Sequence, residues 1–336
     1  MEINGKNILL FYPYGATKHY GDNISCELHK RGATVYGYDE RPSQTALMKI
    51  IIRLFKKKIP HFFLAYLKKV VKKNKDISFD YILVLRGEAF SPKAITFLRK
   101  AFPKAFTILY LWDTLGVNNQ EDTIPYFDRA LTFDPEDAKK IDSLIFRPTF
   151  YLPQYTNVAE FSEATNEILY VGTLHKKRHD TLAKIKENLA NNGISYDFYL
   201  YIPNFIVFIK DKIINSPYAK IKDVHFEPIS LDETIHKTSL SRCILDLNYP
   251  GQKSLSMRAF EALVAKKKYI TTNAEIKKYD FYNENNILVI DENNPIISKS
   301  FLELPYVQIQ EDIFAKYSVI KWVDDVFSQH RCSDIL

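Results

Sequence analysis

The sequence predicts an α/β protein built from two consecutive doubly wound domains, and three observations predict it. Its 336 residues amount to about two domains at roughly 150 residues each. Short β-branched or aromatic runs alternate with longer amphipathic stretches, the rhythm of βα units that feed a parallel sheet. That rhythm lapses over a polar stretch between Pro153 and Glu167 and restarts at Ile168, which places a domain boundary near residue 160. The expected organisation is a first domain over 1–160, a second over 161–308 and a terminal helical segment over 309–336.

Taken in order, residues 7–12 read as the first strand, 15–22 as a turn-rich loop, 23–31 as a helix stopped by Gly32, and 34–38 as the second strand. Two basic helical stretches, 47–58 and 61–73, are split by Pro60. Residues 81–85 form a continuous apolar run, as a strand buried on both faces should, and Ser91-Pro92 opens a helix with Pro in its first turn. Strands follow at 106–111, 130–133 and 144–146, with helical pieces near 124–128 and 135–142. The second half gives strands at 168–171, 197–201, 224–226, 243–247, 269–271 and 287–289, with the clearest helix at 254–265. One long helix over 311–329 sets Phe314, Trp322, Val323 and Phe327 on one side, so it must bury that face against a domain.

Composition excludes several classes. Hydrophobic residues at 46% and charged residues at 26% supply enough apolar material for two cores, which rules out general disorder. No stretch approaches the roughly 18 uncharged apolar residues of a membrane span, and the run from Ile8 to Tyr12 is too short for a signal-peptide core, so a cytoplasmic protein is expected. Cys26, Cys243 and Cys332 contain no CxxC pair, so neither a disulfide framework nor a zinc site is indicated. Lys and Arg, 46 against 40 Asp and Glu, leave a net charge of +6, concentrated between Arg53 and Lys75. There Phe62, Phe63, Tyr66, Leu67, Val70 and Val71 alternate with Lys68, Lys69, Lys72 and Lys73. An amphipathic helix resting on anionic lipid and a core-facing helix with a solvated side are both consistent with that pattern. The stretch is poor in Arg and has no helix-turn-helix or zinc-finger spacing, which argues against nucleic acid.

Ligands of doubly wound sheets bind at the carboxyl ends of the strands, so the loops after each strand are where chemistry is expected. The first, Pro13 to Asp22, is not GxGxxG, and offers His19 and Asp22 as acid/base or acceptor-binding groups, unless Asp22 is a helix cap. Arg86-Gly87-Glu88 puts a charged pair where a buried strand surfaces. Glu88 is a candidate general base there, with an ion pair as the alternative. Trp112-Asp113-Thr114 ends the next strand with a second carboxylate beside an aromatic that suits a sugar or base. In the second half, Gly172 lets backbone approach a diphosphate that Lys177 and Arg178 neutralise. The stretch from Leu247 to Glu261 runs from a buried strand through a Pro-Gly loop into a helix start carrying Ser254, Ser256 and Arg258. That is a phosphate-binding arrangement, with Glu261 able to accept hydrogen bonds from ribose hydroxyls or to serve in an ion pair. No DxD-type pair follows a strand, so no metal is expected to bridge the diphosphate, and no cofactor is called for.

These residues resemble glycosyltransferases of the GT-B fold, especially those of bacterial capsule and lipopolysaccharide biosynthesis. The resemblance rests on Tyr170-Val171-Gly172 with Arg178 and on Arg258-Ala259-Phe260-Glu261-Ala262-Leu263 followed by Thr271-Thr272-Asn273, with Arg86-Gly87-Glu88 and Leu111-Trp112-Asp113 in support. It implies two Rossmann-like domains facing across a cleft, a C-terminal domain that holds a nucleotide sugar, a ribose-binding role for Glu261, and a final helix that packs back on the N-terminal domain. Many retaining members carry a glutamate eight residues before the ribose-binding one, where this sequence has Lys253, so an inverting displacement is favoured. The expected function is metal-independent transfer of a sugar from a nucleotide-diphosphate sugar to a hydroxyl of a surface polysaccharide or lipid-linked glycan at the inner face of the membrane. A nucleotide-sugar 2-epimerase on the same fold, and a non-catalytic basic glycan- or nucleic-acid-binding protein, are the rival readings.

Overall fold

A computed structural model of the chain describes residues 3–43, 45, 60–158, 164–173, 176–202, 208–209, 224–249 and 251–328. The chain folds as two compact units, the first comprising Met1–Pro148 with Val319–Ile335 and the second Thr149–Ser318, so the division falls 12 residues before the expected position. The expected helix over 47–58 and residues 53–59 of the basic segment lie outside the described residues.

In the first unit, six strands, β1 (Asn7–Tyr12), β2 (Thr34–Asp39), β3 (Tyr81–Leu85), β4 (Phe106–Leu111), β5 (Arg129–Thr132) and β6 (Leu144–Phe146), form one parallel sheet in the order β2-β1-β3-β4-β5-β6. Every residue of β3 is buried, which explains why its sequence shows no alternation. Helices α1 (Lys18–Lys30), α2 (Pro60–Lys73), α3 (Pro92–Ala101), α4 (Leu115–Asn118) and α5 (Pro135–Lys140) connect the strands. As expected, Ser91 caps α3, its hydroxyl accepting from the Ala94 amide with Pro92 in the first turn.

Helix α1 starts five residues earlier than its sequence suggests. Gly21 reads as a turn residue, yet it lies inside the helix where α1 crosses Tyr12; a Cβ there would stand 1.9 Å from the Tyr12 ring. Asp22 is therefore not a cap. It sits one turn into the helix, paired with Lys18 at 2.8 Å and accepting from the Tyr12 hydroxyl at 2.8 Å.

Helix α2 settles the use of the basic segment's apolar side. Phe63, Leu67 and Val70 are buried in the first unit's core, while Lys68, Lys69, Lys72 and Lys73 face solvent together with Phe62, 60% exposed. The apolar stripe is committed to protein packing, where each buried side chain contributes about 1.5–3 kcal/mol, so it does not lie on lipid.

The second unit repeats the plan. Strands β7 (Asn166–Thr173), β8 (Tyr196–Tyr201), β9 (Val224–His225), β10 (Ser241–Asp246), β11 (Lys268–Thr271) and β12 (Ile287–Val289) form a parallel sheet in the order β12-β11-β10-β7-β8-β9. The helices are α6 (Lys176–Asn191), α7 (Leu231–Ser239), α8 (Met257–Val264), α9 (Lys299–Glu303) and α10 (Glu311–Lys316), followed by α11 (Val319–Phe327), which belongs to the first unit.

The single terminal helix expected over 311–329 is broken between α10 and α11. Tyr317 is drawn into the second unit, stacked on Phe260 at 4.9 Å and donating to Asp280 at 2.8 Å, and its carbonyl accepts from the Tyr151 amide at 2.9 Å. A carbonyl spent outside the helix cannot carry the helical ladder onward. Beyond the break α11 buries Trp322 edge-on against Tyr110 at 4.8 Å and Phe327 against Tyr81 at 5.2 Å. Asp325 pairs with the buried Arg147 at 2.9 Å.

Candidate functional site

Sheet order explains how distant segments meet. In the second unit β7 and β10 are direct neighbours, with Tyr170 opposite Leu245, although about 70 residues separate them in the chain; β8 and β9 lie on the far side of β7. This is the position where connections leave in opposite directions, and the loops after β7 and β10 open there together. The first loop leads to Gly172 and Arg178, the second to Ser254, Ser256 and Arg258.

Gly172 serves a neighbour on its own strand. A Cβ at residue 172 would lie 2.6 Å from the Tyr170 hydroxyl, so the absent side chain makes room for that phenol. Tyr170 is 1% exposed, and its ring tilts against Phe198 at 5.8 Å. Burial pushes the phenol up to about 12, against the nearby positive charges of Arg178 and Arg258. Arg178 is the third residue of α6 and half-buried. Lys177 lies in the same first turn; its side chain is outside the described residues, as are Leu174 and His175.

The clearest expected helix, 254–265, is shorter than its pattern, and α8 begins only at Met257. Ser256 holds the N-cap position without capping: its hydroxyl donates instead to Asp246, which also accepts from the Tyr269 hydroxyl at 2.7 Å. Ser254 precedes the helix and is fully buried, its carbonyl accepting from the Asn273 amide at 3.0 Å. The same Asn273 caps the turn after β11 by accepting from the Glu275 amide. Ser254 is thus part of the clamp that shapes the loop.

Arg258 and Glu261 lie on one side of α8, the guanidinium Nη1 4.0 Å from the carboxylate Oε2. Beside this helix lies the 3₁₀ segment Pro153–Asn157, which packs on α8 and carries the buried Tyr155. Burial raises the Tyr155 phenol, reinforced by the Glu261 charge and opposed by Arg258. Glu261 is 1% exposed and Arg258 is 21% exposed at its side chain, so the guanidinium is the member of the pair that reaches solvent. Tyr155 was not legible as a site residue, since its segment shows no periodicity.

The first unit gathers charges at the ends of β2 and β3. Glu40, fully buried, accepts from the Arg86 guanidinium and from the Glu88 amide at 3.1 Å, while Arg41 pairs with the Glu88 carboxylate. Burial pushes the Glu40 carboxyl above its ordinary range against the pull of Arg86 and Arg41, with the Asp113 charge adding to the rise. Arg86 holds φ at +65°, a left-handed conformation that costs a side-chain-bearing residue energy and is kept by this double clamp. Glu88, 3% exposed, is thus an ion-pair partner of Arg41 in this arrangement and is not presented to an acceptor.

Asp113 is half-buried and accepts from Asn118 at 3.2 Å. Beside it Trp112 meets Tyr20 edge-on at 5.8 Å, and Tyr20 packs on His19 at 4.2 Å. The expected acceptor-side residues His19 and Trp112 are therefore joined through an aromatic that sequence reasoning passed over, while Asp22 stands apart, held by Lys18 and Tyr12. Among the described residues no group of three or more His, Cys, Asp or Glu side chains is placed to hold a metal ion, and no helix is long and apolar enough to cross a membrane.

No protein-family model matches the chain, and no curated protein sequence matches it. Solved structures do. An alpha-glucosyltransferase in complex with UDP and a 13-mer DNA superposes with a TM-score of 0.60 at 15% identity, covering 95% of each chain. The Anabaena protein HepE, in complex with UDP and glucose, gives 0.58 at 10% identity over 97% of this chain and 100% of that one. The Methanocaldococcus jannaschii UDP-GlcNAc 2-epimerase, in complex with UDP-GlcNAc and UDP, gives 0.51 at 13% identity over 94% and 98%. At such identities the likeness shows the fold: two Rossmann-like α/β units in one chain, the GT-B fold.

Proposed function

We propose that the protein is a glycosyltransferase that takes a sugar from a nucleoside-diphosphate sugar without a metal ion and places it on a hydroxyl of a glycan or glycolipid acceptor of the surface-polysaccharide kind. The observation that carries this reading is the pair Arg178 and Arg258, brought together at the β7/β10 strand ends beside the uncapped first turn of α8. Two guanidiniums at a helix N-terminus are suited to a diphosphate. UDP in the structures of fold-sharing proteins supports the same choice. In the reaction the acceptor oxygen bonds to the anomeric carbon as the bond from that carbon to the diphosphate oxygen breaks. The arginines stabilise the charge that gathers on the leaving diphosphate, with Lys177 and Ser256 at the same loop ends. Glu261 takes the ribose hydroxyls in this reading.

The acceptor proton needs a carboxylate within reach. Asp113 is assigned that role, because Glu88 is held by Arg41. Trp112 and His19 are assigned to the acceptor sugar, for which the Trp112–Tyr20–His19 aromatic run offers stacking faces. The lysine side of α2 is assigned to anionic headgroups as a purely electrostatic contact. Sedimentation with phosphatidylglycerol vesicles at low and high salt checks it.

The experiment that tests the donor reading is thermal unfolding of the full chain against a panel of nucleoside diphosphates and nucleotide sugars in EDTA. A rise in the midpoint with one base family is expected, since a ligand of the folded state stabilises by RT ln(1 + [L]/Kd). No rise with any member would reject it. The 2-epimerase reading is favoured by the epimerase among the structural neighbours. It predicts conversion of the donor sugar with no acceptor present, and absence of that product removes it.

A further inference from the structure

A nucleotide sugar is a linear molecule, nucleoside then diphosphate then sugar, and the donor reading above fixes which way it lies. Glu261 takes the ribose, and Arg258, which takes the diphosphate, stands one helical turn nearer the start of α8, so the molecule runs toward that N-terminus at about 1.5 Å per residue. Its sugar then falls beyond the helix end, where Tyr249 and Lys253 stand in the loop between β10 and α8. We infer that Lys253 and Tyr249 form the donor-sugar subsite and that the sugar they select is a hexuronic acid, its carboxylate held by the Lys253 ammonium and its ring laid on the Tyr249 face. The inference rests on the donor reading.

The loop is braced at several points. The Asn248 amide donates to the Thr272 hydroxyl at 3.0 Å, the Asn248 side-chain amide to the Gln252 carbonyl, and the Gln252 amide to the Tyr249 carbonyl at 3.0 Å. Gly251 turns the chain at φ +83°, in the left-handed region open to glycine. From the turn after β11, Asn273 donates to the carbonyls of Lys253 and Ser254 at 3.4 and 3.0 Å. On this frame Tyr249 is 49% exposed, a large aromatic surface at a strand end where ligands bind. Charge at the loop is unbalanced. Lys253 and Lys278 share one carboxylate, that of Glu275; Lys278 takes it at 2.6 Å, while the Lys253 ammonium stands 3.8 Å off with more than half its side chain exposed, so one positive charge is left over. Asp246, the acid at the end of β10, is occupied by the hydroxyls of Ser256 and Tyr269. A neutral hexose offers that ammonium no charged partner. A hexuronic acid offers a carboxylate on the carbon outside the ring, and the charge-assisted hydrogen bond it forms is stronger than one to a hydroxyl. That carboxylate is a spectator, so the bonds that form and break are those of the transfer already described.

The test is calorimetric titration of the full-length protein with UDP, UDP-glucose and UDP-glucuronic acid, or with the diphosphate, hexose and hexuronate of whichever base the panel selects. The hexuronate is expected to bind about tenfold tighter than the hexose, the worth of one charge-assisted hydrogen bond at a partly exposed site. Lys253→Gln removes that preference and leaves diphosphate affinity and the unfolding midpoint at their wild-type values. Tyr249→Ala weakens both nucleotide sugars about fivefold and leaves the diphosphate alone; wild-type affinities in this variant overturn the role of the ring. Equal binding of hexose and hexuronate by the wild type, or a preference that survives Lys253→Gln, overturns the acidic-sugar assignment. So does a Lys253→Gln protein that loses as much affinity for the diphosphate as for the hexuronate, since the lysine is then a diphosphate ligand. If diphosphate binds and only the preference is missing, the donor reading stands and this assignment alone is lost; if none of the three ligands binds, the donor reading has failed and the assignment falls with it.

Discussion

Both units carry arginines near their strand ends, and they hold them differently. In the first, Arg41 and Arg86 meet Glu88 and Glu40, charge against charge, with Glu40 fully buried. In the second, Arg258 stands 4.0 Å from the buried Glu261 carboxylate, Tyr170 lies in the field of Arg178 and Arg258, and Tyr155 in that of Arg258. A guanidinium neutralised by a carboxylate is structural: it closes a turn and supports the strained backbone of Arg86. Both units place arginines near the carboxyl ends of a parallel sheet, and they differ in how closely a carboxylate meets them: Arg41 and Arg86 contact Glu88 and Glu40 directly, whereas Arg258 stands 4.0 Å from Glu261.

The comparison can be broken at several points. The largest expected effect is at Asp113. Asp113→Asn should lower kcat by about 10²- to 10⁴-fold with donor affinity unchanged, the range for loss of a general base. Glu88→Gln should instead act mainly through stability. A steady-state assay with saturating donor separates the two, and an active Asp113→Asn enzyme would reject the assignment.

Next comes the clamp in the first unit. Glu40→Gln leaves Arg86 with only the Glu88 carboxylate, 4.0 Å away, and should cost about 3 kcal/mol in chemical unfolding, with little change in nucleotide affinity for whatever protein remains folded. The mirror experiment is Arg258→Ala. It should weaken nucleoside diphosphate binding about 10- to 100-fold, the worth of charged hydrogen bonds, while stability falls by less than for Glu40→Gln, because Arg258 stands 4.0 Å from the buried Glu261 carboxylate and does not contact it directly. If Arg258→Ala were as destabilising as Glu40→Gln, the two sites would be alike and the contrast void.

The smallest effect is on acid stability. Asp80 and Asp128 in the first unit lie below the ordinary carboxylate range: burial opposes the shift, but the Asn7 amide with Lys6, and the Thr107 amide with Arg99, outweigh it. A carboxyl lowered by folding adds stability above its unfolded value near about pH 4 and loses it as pH falls through the folded value. The first unit should therefore weaken as pH drops below about 4, and Asp80→Asn with Asp128→Asn should flatten that slope. Unfolding followed at Trp112 and Trp322, both in the first unit, reads it directly.

Much of this was legible in the sequence. The alternation of apolar runs and amphipathic stretches determined the strands, because a strand buried on both faces must be apolar throughout, and β3 is. Ser91-Pro92 determined a helix start, because capping and a fixed φ act within four residues. Local rules misled where a neighbour from elsewhere in the chain intervened. Gly21 looked like a turn and is a helix crossing, Ser256 looked like a hydroxyl offered at a helix start and donates to Asp246, and the helix over 311–329 breaks because Tyr317 binds Phe260 and Asp280.

The sequence by itself supplied the candidate residues Arg178, Arg258, Glu261, Glu88 and Asp113, since strand ends of a parallel sheet are where ligands bind. Only the tertiary structure decided what each of them faces. Strand order brought β7 beside β10, and a segment with no periodicity packed the buried Tyr155 against α8. The same packing matched Glu88 to Arg41, 47 residues away. A charge's availability depends on what lies within a few ångströms of it, and those neighbours are set by sheet order and packing, which spacing along the chain does not encode.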